Sequence, residues 1–272
     1  MTTHQDNSHF QMSRYTDRER YFTELAGTSR EYYINYIRRY KAVDCSCRIL
    51  EIGCGEGGNL LPFAELGCYV AGLDLLGNKI ENARRFFEKA GAKGDFICGN
   101  FLEDDCLKDK EKFDVILIHD VIEHIEPEYK SLFFSRLKPL LKTGGIIFFG
   151  FPAWHMPFGG HQQICRSRWS RMPFIHLLPK RLYWSYLNLF KENPLQVDEL
   201  MSISRSRMST EKFEQLCRDN GYRILNRTLW FISPHYKAKF NLRPAGLFSP
   251  LCRIPYLRNY LSTACFYIIN VG

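Results

Sequence analysis

The sequence predicts an α/β protein built on a doubly wound, mostly parallel sheet. Between residues 47 and 151, short apolar runs alternate with segments of helical periodicity, which is typical of a sheet covered by helices on both faces. A glycine-dense turn, Gly53 to Gly58, follows the first apolar run, and Asp74 ends the second. Neighbouring parallel strands present their carboxyl ends to one crevice, so these residues predict a ligand site there.

The periodicity places the central elements in order. Strands are predicted at residues 47–53, 69–74, 95–98, 113–119 and 145–151. Helices are predicted from about residue 58, at 77–90 and at 127–140, with a short polar helix before the fourth strand.

The two ends of the chain follow different patterns. Residues 13–41 carry aromatic side chains at helical spacing, among them Tyr15 and Phe22, so we expect helices within residues 1–45. After Pro152 the alternation stops, and residues 153–208 are rich in Arg, Trp, Phe, Met and Pro. A helix resumes at 209–213, where Ser209 or Thr210 would cap it. The last two strands are predicted at 222–232 and 263–271.

Composition sets the size of the core. The chain has 272 residues, of which 45% are hydrophobic and 24% charged, enough for one large core with a modest cap. No apolar stretch approaches the roughly 20 residues that span a bilayer, and the polar start does not resemble a signal peptide. We therefore expect a cytoplasmic protein. Ten cysteines without paired C-x-x-C spacing are expected to be reduced thiols.

Charge is distributed unevenly along the chain. Residues 1–160 carry 20 Lys and Arg against 23 Asp and Glu, whereas residues 161–272 carry 17 against 6. The later part would therefore attract an anionic substrate, a nucleic acid or an anionic membrane surface.

The glycine-dense turn fits two classes of cofactor. Gly53, Gly55 and Gly58 satisfy G-x-G-x-x-G, which would suit a dinucleotide. The same glycines would let the backbone approach another nucleoside-bearing cofactor, since no side chain holds the ligand away. For Gly57 and Gly58, packing of helix against strand is an equally good interpretation.

Five successive segments between about residues 46 and 152 decide between these cofactors. Residues 50–57 contain the glycines with an acid two positions before them, Asp74 follows, and residues 98–101, 113–125 and 140–148 come next. In this order they resemble the five motifs of the class I S-adenosylmethionine-dependent methyltransferases. A dinucleotide enzyme would not need the last two segments.

The resemblance implies a Rossmann-like, seven-stranded sheet of order 3-2-1-4-5-7-6 with an antiparallel last strand. It also implies a single domain, residues 1–272. Within it we expect an N-terminal helical lid (1–45), a cofactor-binding core (46–152), an acceptor cap (153–208 and 233–262) and C-terminal helix and strands (209–232 and 263–272). The expected reaction is methyl transfer from S-adenosylmethionine to oxygen, or nitrogen, of a small-molecule acceptor that is anionic or amphiphilic.

The resemblance also suggests which residues bind the donor. Gly53, Cys54 and Gly55 would lie along its methionine part, and Asp74 would accept the ribose hydroxyls. Asn100 stands where the family usually has aspartate, so adenine would meet an amide oxygen instead of a carboxylate. The remaining expected donor contacts are Glu51 from the first motif, Leu75 on adenine, Phe101 at its edge, and His119 and Asp120 at the methionine end.

Catalysis is expected to depend on histidines that follow the fifth strand. Residues 149–163 contain proline, aromatics, His155 and His161, and resemble, loosely, an acceptor-lining segment of small-molecule methyltransferases. Either histidine could take a proton near neutral pH, and His161, which follows Gly159 and Gly160, is the preferred base.

Four alternatives remain open. Asp120, Glu123 and His124 could hold a divalent cation, as a similar segment does in some quinone-type relatives, although we expect no metal. The basic and aromatic stretch 166–184 fits a pocket cap or an interfacial segment, and Pro173 and Pro179 argue against one continuous membrane-lying helix. The acceptor could instead be RNA or protein, or the fold could bind the donor without catalysis.

Overall fold

The structure, a computed structural model, describes residues 17–103 and 105–272. Tyr15 and the other residues before Asp17, part of the predicted N-terminal lid, lie outside the described residues. The ten cysteines are free thiols, six of them buried. Among the described residues, none of the helices combines the length and the hydropathy that a bilayer crossing requires.

The sheet has eight strands in the order β3-β2-β1-β4-β5-β8-β6-β7. β8 runs antiparallel to both β5 and β6. The predicted strand order and its antiparallel strand are therefore confirmed. The strands are β1 (Arg48–Ile52), β2 (Tyr69–Asp74), β3 (Asp95–Cys98), β4 (Phe113–His119), β5 (Leu141–Phe151), β6 (Tyr222–Ile232), β7 (Ala245–Gly246) and β8 (Ala264–Val271).

The predicted number of seven strands is wrong by one. The additional strand, β7, has two residues and pairs with β6 at Trp230 and Ile232. Its pairing is extended by Leu247, whose N–H donates to the carbonyl of Leu229 at 2.8 Å. Two residues are too few to produce a detectable alternation of apolar and polar side chains, so periodicity could not reveal this strand.

The predicted helices occur in the expected order with shorter bounds, and helices also form within residues 180–206 and 235–261, where none was predicted. They are α1 (Arg18–Thr28), which continues through a π-helical turn (Ser29–Tyr33) into α2 (Ile34–Ile37), then α3 (Leu61–Glu65), α4 (Gly77–Lys89), α5 (Lys130–Leu137), α6 (Lys180–Leu189), α7 (Pro194–Ser206), α8 (Thr210–Asp219), α9 (His235–Phe240), α10 (Ser249–Cys252) and α11 (Leu257–Leu261). Ser209 caps α8, because its side chain accepts a hydrogen bond from the Lys212 N–H. The predicted polar helix before β4 is replaced by turns in residues 101–103 and 106–109.

The described chain forms two compact units. The first contains residues up to Leu117, Leu140–Ile146 and Pro234–Arg243. In this unit β1 pairs with β2 and β2 with β3, all parallel and in continuous register. The side chains of Ile49, Leu50, Val70 and Leu73 are almost fully buried along these strands, as expected for strands covered on both faces.

The second unit contains Ile118–Pro139, Ile147–Ser233 and Pro244–Gly272. Aromatic rings dominate its core. Phe134 stacks on Phe149 with ring centroids 5.5 Å apart, and Phe213 packs against Tyr267 at 4.5 Å. The hydroxyl of Tyr222 donates to the carbonyl of Phe134 at 2.7 Å, so the buried polar end of this ring is paired.

Candidate functional site

The glycine-dense turn is fixed by backbone hydrogen bonds from the neighbouring strand. β1 ends at Ile52, and the N–H groups of Gly53 and Cys54 both donate to the carbonyl of Leu73, at 2.7 and 3.0 Å. Gly53 and Gly55 have φ angles of 73° and 54°, in the left-handed region that favours glycine. The predicted turn therefore lies beside the carboxyl end of β2.

Asp74 joins this turn to the end of β2. One carboxylate oxygen accepts the N–H of Gly55 at 2.8 Å, and the other accepts the N–H of Leu76 at 3.0 Å. The residue is buried, with 7% of its surface exposed. Each carboxylate oxygen has a second acceptor position, so Asp74 can both hold the turn and accept ribose hydroxyls.

The glycines of the turn divide into two kinds. A Cβ added at Gly55 would meet no described atom within 4 Å. One added at Gly57 would lie 2.8 Å from the ring of Phe96, and one at Gly58 would lie 2.6 Å from the carbonyl oxygen of Phe22. Gly57 and Gly58 thus serve packing within this unit, whereas Gly55 presents open backbone.

This division predicts different outcomes for two alanine variants. Gly58→Ala should lower the free energy of unfolding by about 1 to 3 kcal/mol, because α1 has to shift away from the new methyl group. Gly55→Ala should cost only about 1 kcal/mol, from the left-handed backbone. Urea unfolding of both variants measures the difference. Equal losses would contradict the assignment of Gly58 to packing.

Two buried acidic side chains of the glycine-dense turn and the strand before it form hydrogen bonds that fix its shape. Glu51 is buried, and one of its oxygens accepts the Asn59 side-chain amide at 2.7 Å. Glu56, also buried, forms a two-fold hydrogen bond with the guanidinium of Arg18 from α1, both contacts at 2.6 Å. Such a charge-assisted pair is rigid. Glu51 therefore has a clear role in shaping the turn, and its predicted contact with the donor stays a prediction.

The predicted adenine-facing residues lie next to Asp74. The N–H of Gly99 donates to the carbonyl of Asp74 at 3.1 Å, which holds the loop after β3 against the loop after β2. Leu75 is 64% exposed and Phe101 is half-buried. The amide oxygen of Asn100 accepts the N–H of Leu102 at 3.0 Å, and an amide oxygen has two acceptor positions in all.

In the second unit, the end of β4 carries His119 and Asp120. Asp120 has a left-handed φ of 53°, and its N–H donates to the carbonyl of Gly150 at 2.8 Å. A Cβ at Gly150 would lie 2.5 Å from the His119 ring, so glycine is required beside it. Left-handed backbone at a non-glycine residue is costly and concentrates at functional sites. The imidazole and carboxylate lie 3.3 Å apart.

Glu123 is a buried carboxyl group whose loss of hydration is not offset by hydrogen bonds from other described residues. Within the described part of the chain, neither carboxylate oxygen has a hydrogen-bond partner. Burial, and next the charge of Asp120, raise the pKa of Glu123 well above its ordinary value. Lys130 opposes this electrostatically, and its buried ammonium donates to the Ile122 carbonyl and to the Ser206 hydroxyl, at 2.5 and 2.9 Å. Burial lowers the pKa of Lys130 to about 8.

His161 lies next to Glu123. Its Nε2 is 3.8 Å from Glu123 Oε1, and its ring meets the ring of His124 edge-on with centroids 5.0 Å apart. His161 also has a left-handed φ, 58°. An ionised Glu123 would stabilise a protonated His161 at this distance, whereas burial favours the neutral form of Glu123.

The same three side chains form the arrangement most suited to a cation among the described residues. One ligand atom each from Glu123, His124 and His161 all lie within 4.8 Å of one another. A carboxylate and two imidazoles suit several divalent transition metals. The sequence alternative named Asp120 with Glu123 and His124, whereas the structure groups His161 with the latter two.

The second predicted base, His155, lies in different surroundings. Its ring packs against Tyr260 with centroids 5.1 Å apart, and burial lowers its pKa. Four and five positions later, Gly159 and Gly160 pack closely on other parts of the loop. A Cβ added at Gly159 would lie 2.3 Å from the Trp154 carbonyl oxygen, and one added at Gly160 would lie 2.3 Å from His176 Cβ. Each histidine therefore has a different acidic neighbour, Glu123 at 3.8 Å for His161 and the charge of Glu211 for His155.

His176 is a third histidine, which sequence analysis did not select. It is buried, its Nε2 lies 2.7 Å from the Trp154 carbonyl oxygen, and burial lowers its pKa to about 4. An exposed histidine has a pKa of about 6.5. Between pH 6.5 and pH 4, His176 is therefore protonated in the unfolded chain but neutral in the folded chain. Folded stability should therefore fall as pH decreases from about 6.5 to about 4.

The expected loss in this window is about 3 kcal/mol from His176 alone. Urea unfolding of the wild-type protein at pH 7.5 and pH 4.5 measures it. In His176→Gln this part of the pH dependence should disappear, whatever the variant's stability at neutral pH. An unchanged pH dependence would show that another group is responsible.

Residues 49–145 match a family model described as a methyltransferase domain. The chain is 35% identical over 112 residues to the ubiquinone biosynthesis O-methyltransferase of Nitrobacter winogradskyi, which covers 40% of this chain and 41% of that protein. The match thus spans about two fifths of the length of such relatives.

Solved structures extend the likeness over most of the fold. An S-adenosylmethionine-dependent methyltransferase from Clostridium acetobutylicum superposes with a TM-score of 0.58 at 12% identity, covering 90% of this chain and 92% of that one. The magnesium protoporphyrin IX methyltransferase of Synechocystis, with bound SAH, gives a TM-score of 0.54 at 13% identity, covering 91% and 84%. Sheet order, glycine turn and family match together identify a class I methyltransferase fold. Residues 49–145 thus resemble a methyltransferase domain, and the fold as a whole is that of S-adenosylmethionine-dependent methyltransferases.

Proposed function

We propose that the protein transfers a methyl group from S-adenosylmethionine to an oxygen, or alternatively a nitrogen, of a small-molecule acceptor. The observation that carries this proposal is the pairing of Asp74 with Gly55. A buried carboxylate holds an open, left-handed glycine turn and keeps acceptor positions for a ribose. These residues fit the donor by chemistry as well as by motif.

The donor supplies a methyl group that its sulfonium already activates. The protein then has to bind, orient and exclude water, and orientation is the larger contribution. Positioning can provide roughly 7 to 11 kcal/mol, compared with about 3 to 5 kcal/mol for a general base. In this proposal Gly53, Cys54 and Gly55 hold the methionine part, and His119 and Asp120 contribute at its end.

The proton of a hydroxyl acceptor would go to His161. Glu123 supports that role as a positioning residue, since its carboxylate lies 3.8 Å from His161 Nε2. His155 remains the second candidate base. A small-molecule acceptor is favoured over RNA by the named activities of the sequence relatives, which are O-methyltransferases of ubiquinone biosynthesis.

Incubation with methyl-labelled donor and fractionated metabolite extracts tests the proposal. We expect label in a small organic product, and much less label with the Asp74→Ala variant at a donor concentration near the wild-type Kd. Label found only in RNA or protein fractions would contradict the small-molecule acceptor. If donor binds but no fraction accepts label, the non-catalytic alternative would hold.

A further inference from the structure

The cap segment carries an apolar surface that faces solvent. On α6, Leu182 and Leu189 are 57% and 73% exposed, and with Tyr186 between them they lie at positions i, i+4 and i+7 of one helix face. The Tyr186 hydroxyl donates to the Trp169 carbonyl at 3.2 Å, and Trp169 is itself half exposed. We call Trp169, Leu182, Tyr186 and Leu189 the outer cap face.

These side chains are not a displaced part of the core. An adjacent side of α6 is buried through Tyr183 and Leu187, which pack with Cys165, Leu200 and other apolar residues. The helix therefore has one apolar side that is filled and another that faces water. A soluble protein rarely exposes such a patch without a partner for it.

The surroundings of the outer cap face are positively charged. Arg168, whose guanidinium lies 5.6 Å from the centre of the Trp169 ring, is exposed, and so are Lys180, Arg181 and Lys191. Residues 153–197 contain a single acid, Glu192. That carboxylate is buried and accepts the N–H groups of Arg166 and Ser167 at 2.7 and 2.9 Å. The next acids along the chain, Asp198 and Glu199, are exposed on α7, so the exposed cations outnumber the exposed acids over residues 166–199.

We propose that the outer cap face docks the protein onto the surface of an anionic lipid bilayer. A short helix with leucines on its outer side and cations at its flanks fits the headgroup boundary, where apolar side chains enter and cations meet lipid phosphates. α6 has 10 residues, too few to span a bilayer, so in this proposal it lies along the surface. Single-stranded RNA is less suited, because leucine offers no ring on which a base could stack.

Vesicle sedimentation with the full chain tests this proposal. The protein should sediment with vesicles of phosphatidylcholine and phosphatidylglycerol, much less with phosphatidylcholine alone, and less at high salt. The double variants Leu182→Ser/Leu189→Ser and Arg168→Glu/Arg181→Glu should each weaken binding by about tenfold or more. These side chains are exposed, and thermal unfolding verifies that each variant is folded.

Matched controls are available elsewhere on the surface. Leu66→Ser/Leu132→Ser removes two exposed leucines, and Arg85→Glu/Arg223→Glu reverses two exposed arginines, all outside the cap. Both controls should bind vesicles within about twofold of wild type. Equal losses in variants and controls would overturn the proposal.

Three other results would also overturn it. Equal binding to zwitterionic vesicles would remove the charge argument. Loss of polyuridine binding in the cap variants, with vesicle binding intact, would assign the face to RNA. If the protein does not bind vesicles but forms a dimer, and only Leu182→Ser/Leu189→Ser dissociates that dimer, the outer cap face would be assigned to contact with a second copy of the chain.

Discussion

Replacing Asp74 with alanine should weaken the binding of S-adenosylhomocysteine by roughly 100-fold, or about 3 kcal/mol. Hydrogen bonds to a charged acceptor contribute about 1.5 to 3 kcal/mol each, and this carboxylate is proposed to accept two ribose hydroxyls. The same variant leaves the N–H groups of Gly55 and Leu76 without their acceptor. Titration calorimetry measures the affinity.

Asp74→Asn is the matched control for this experiment. The amide keeps one oxygen acceptor and the shape of the side chain but loses the charge, so we expect a loss of about tenfold. Urea unfolding of the free variants separates damage to the turn from loss of the ribose contact. Unchanged affinity in a folded Asp74→Ala protein would contradict the assignment.

Replacing His161 with asparagine should lower kcat by about 10² to 10⁴-fold, the usual contribution of a general base. Affinity for S-adenosylhomocysteine should stay within about twofold, because His161 is not among the proposed donor contacts. Glu123→Gln should lower kcat less, since the base remains but loses the carboxylate 3.8 Å away. The acceptor identified with labelled donor provides the assay.

His155→Asn separates the two histidines. Its ring packs on Tyr260, and burial lowers its pKa and so weakens it as a base, so we expect nearly normal kcat. A His161→Asn enzyme with nearly normal kcat would remove this residue as the base. If thorough chelation abolishes turnover of the wild type, a cation held by Glu123, His124 and His161 would replace the proton-transfer account.

Much of the fold could be predicted because its signals are local. Burial of β1 and β2 on both faces produces continuous apolar runs, and the glycines that follow β1 are demanded by positive φ angles. β7 could not be predicted, since its two residues pair with β6 only through the register of distant chain segments. Likewise, 3₁₀ turns lie on both sides of α5. Their side-chain spacing is close to that of an α-helix over three residues, so the sequence pattern could not locate the ends of α5.

The candidate site was predictable in the first unit and less so in the second. Gly55 and Asp74 are 19 positions apart, but consecutive parallel strands bring their ends together by rule. No such rule connects Glu123 with His161, because the loop after β5 has no regular periodicity. The burial of the Lys130 ammonium could not be predicted either, because the hydroxyl that accepts its hydrogen bond belongs to Ser206, 76 positions further along the chain.

The central claim is that the turn beginning at Gly53 binds a sulfonium nucleoside. Calorimetry of the purified full chain against S-adenosylmethionine and S-adenosylhomocysteine, with NAD and FAD as comparisons, tests it most directly. We expect saturable one-site heats with both adenosyl compounds and none with the dinucleotides. Binding of a dinucleotide, with no response to either adenosyl compound, would contradict the claim.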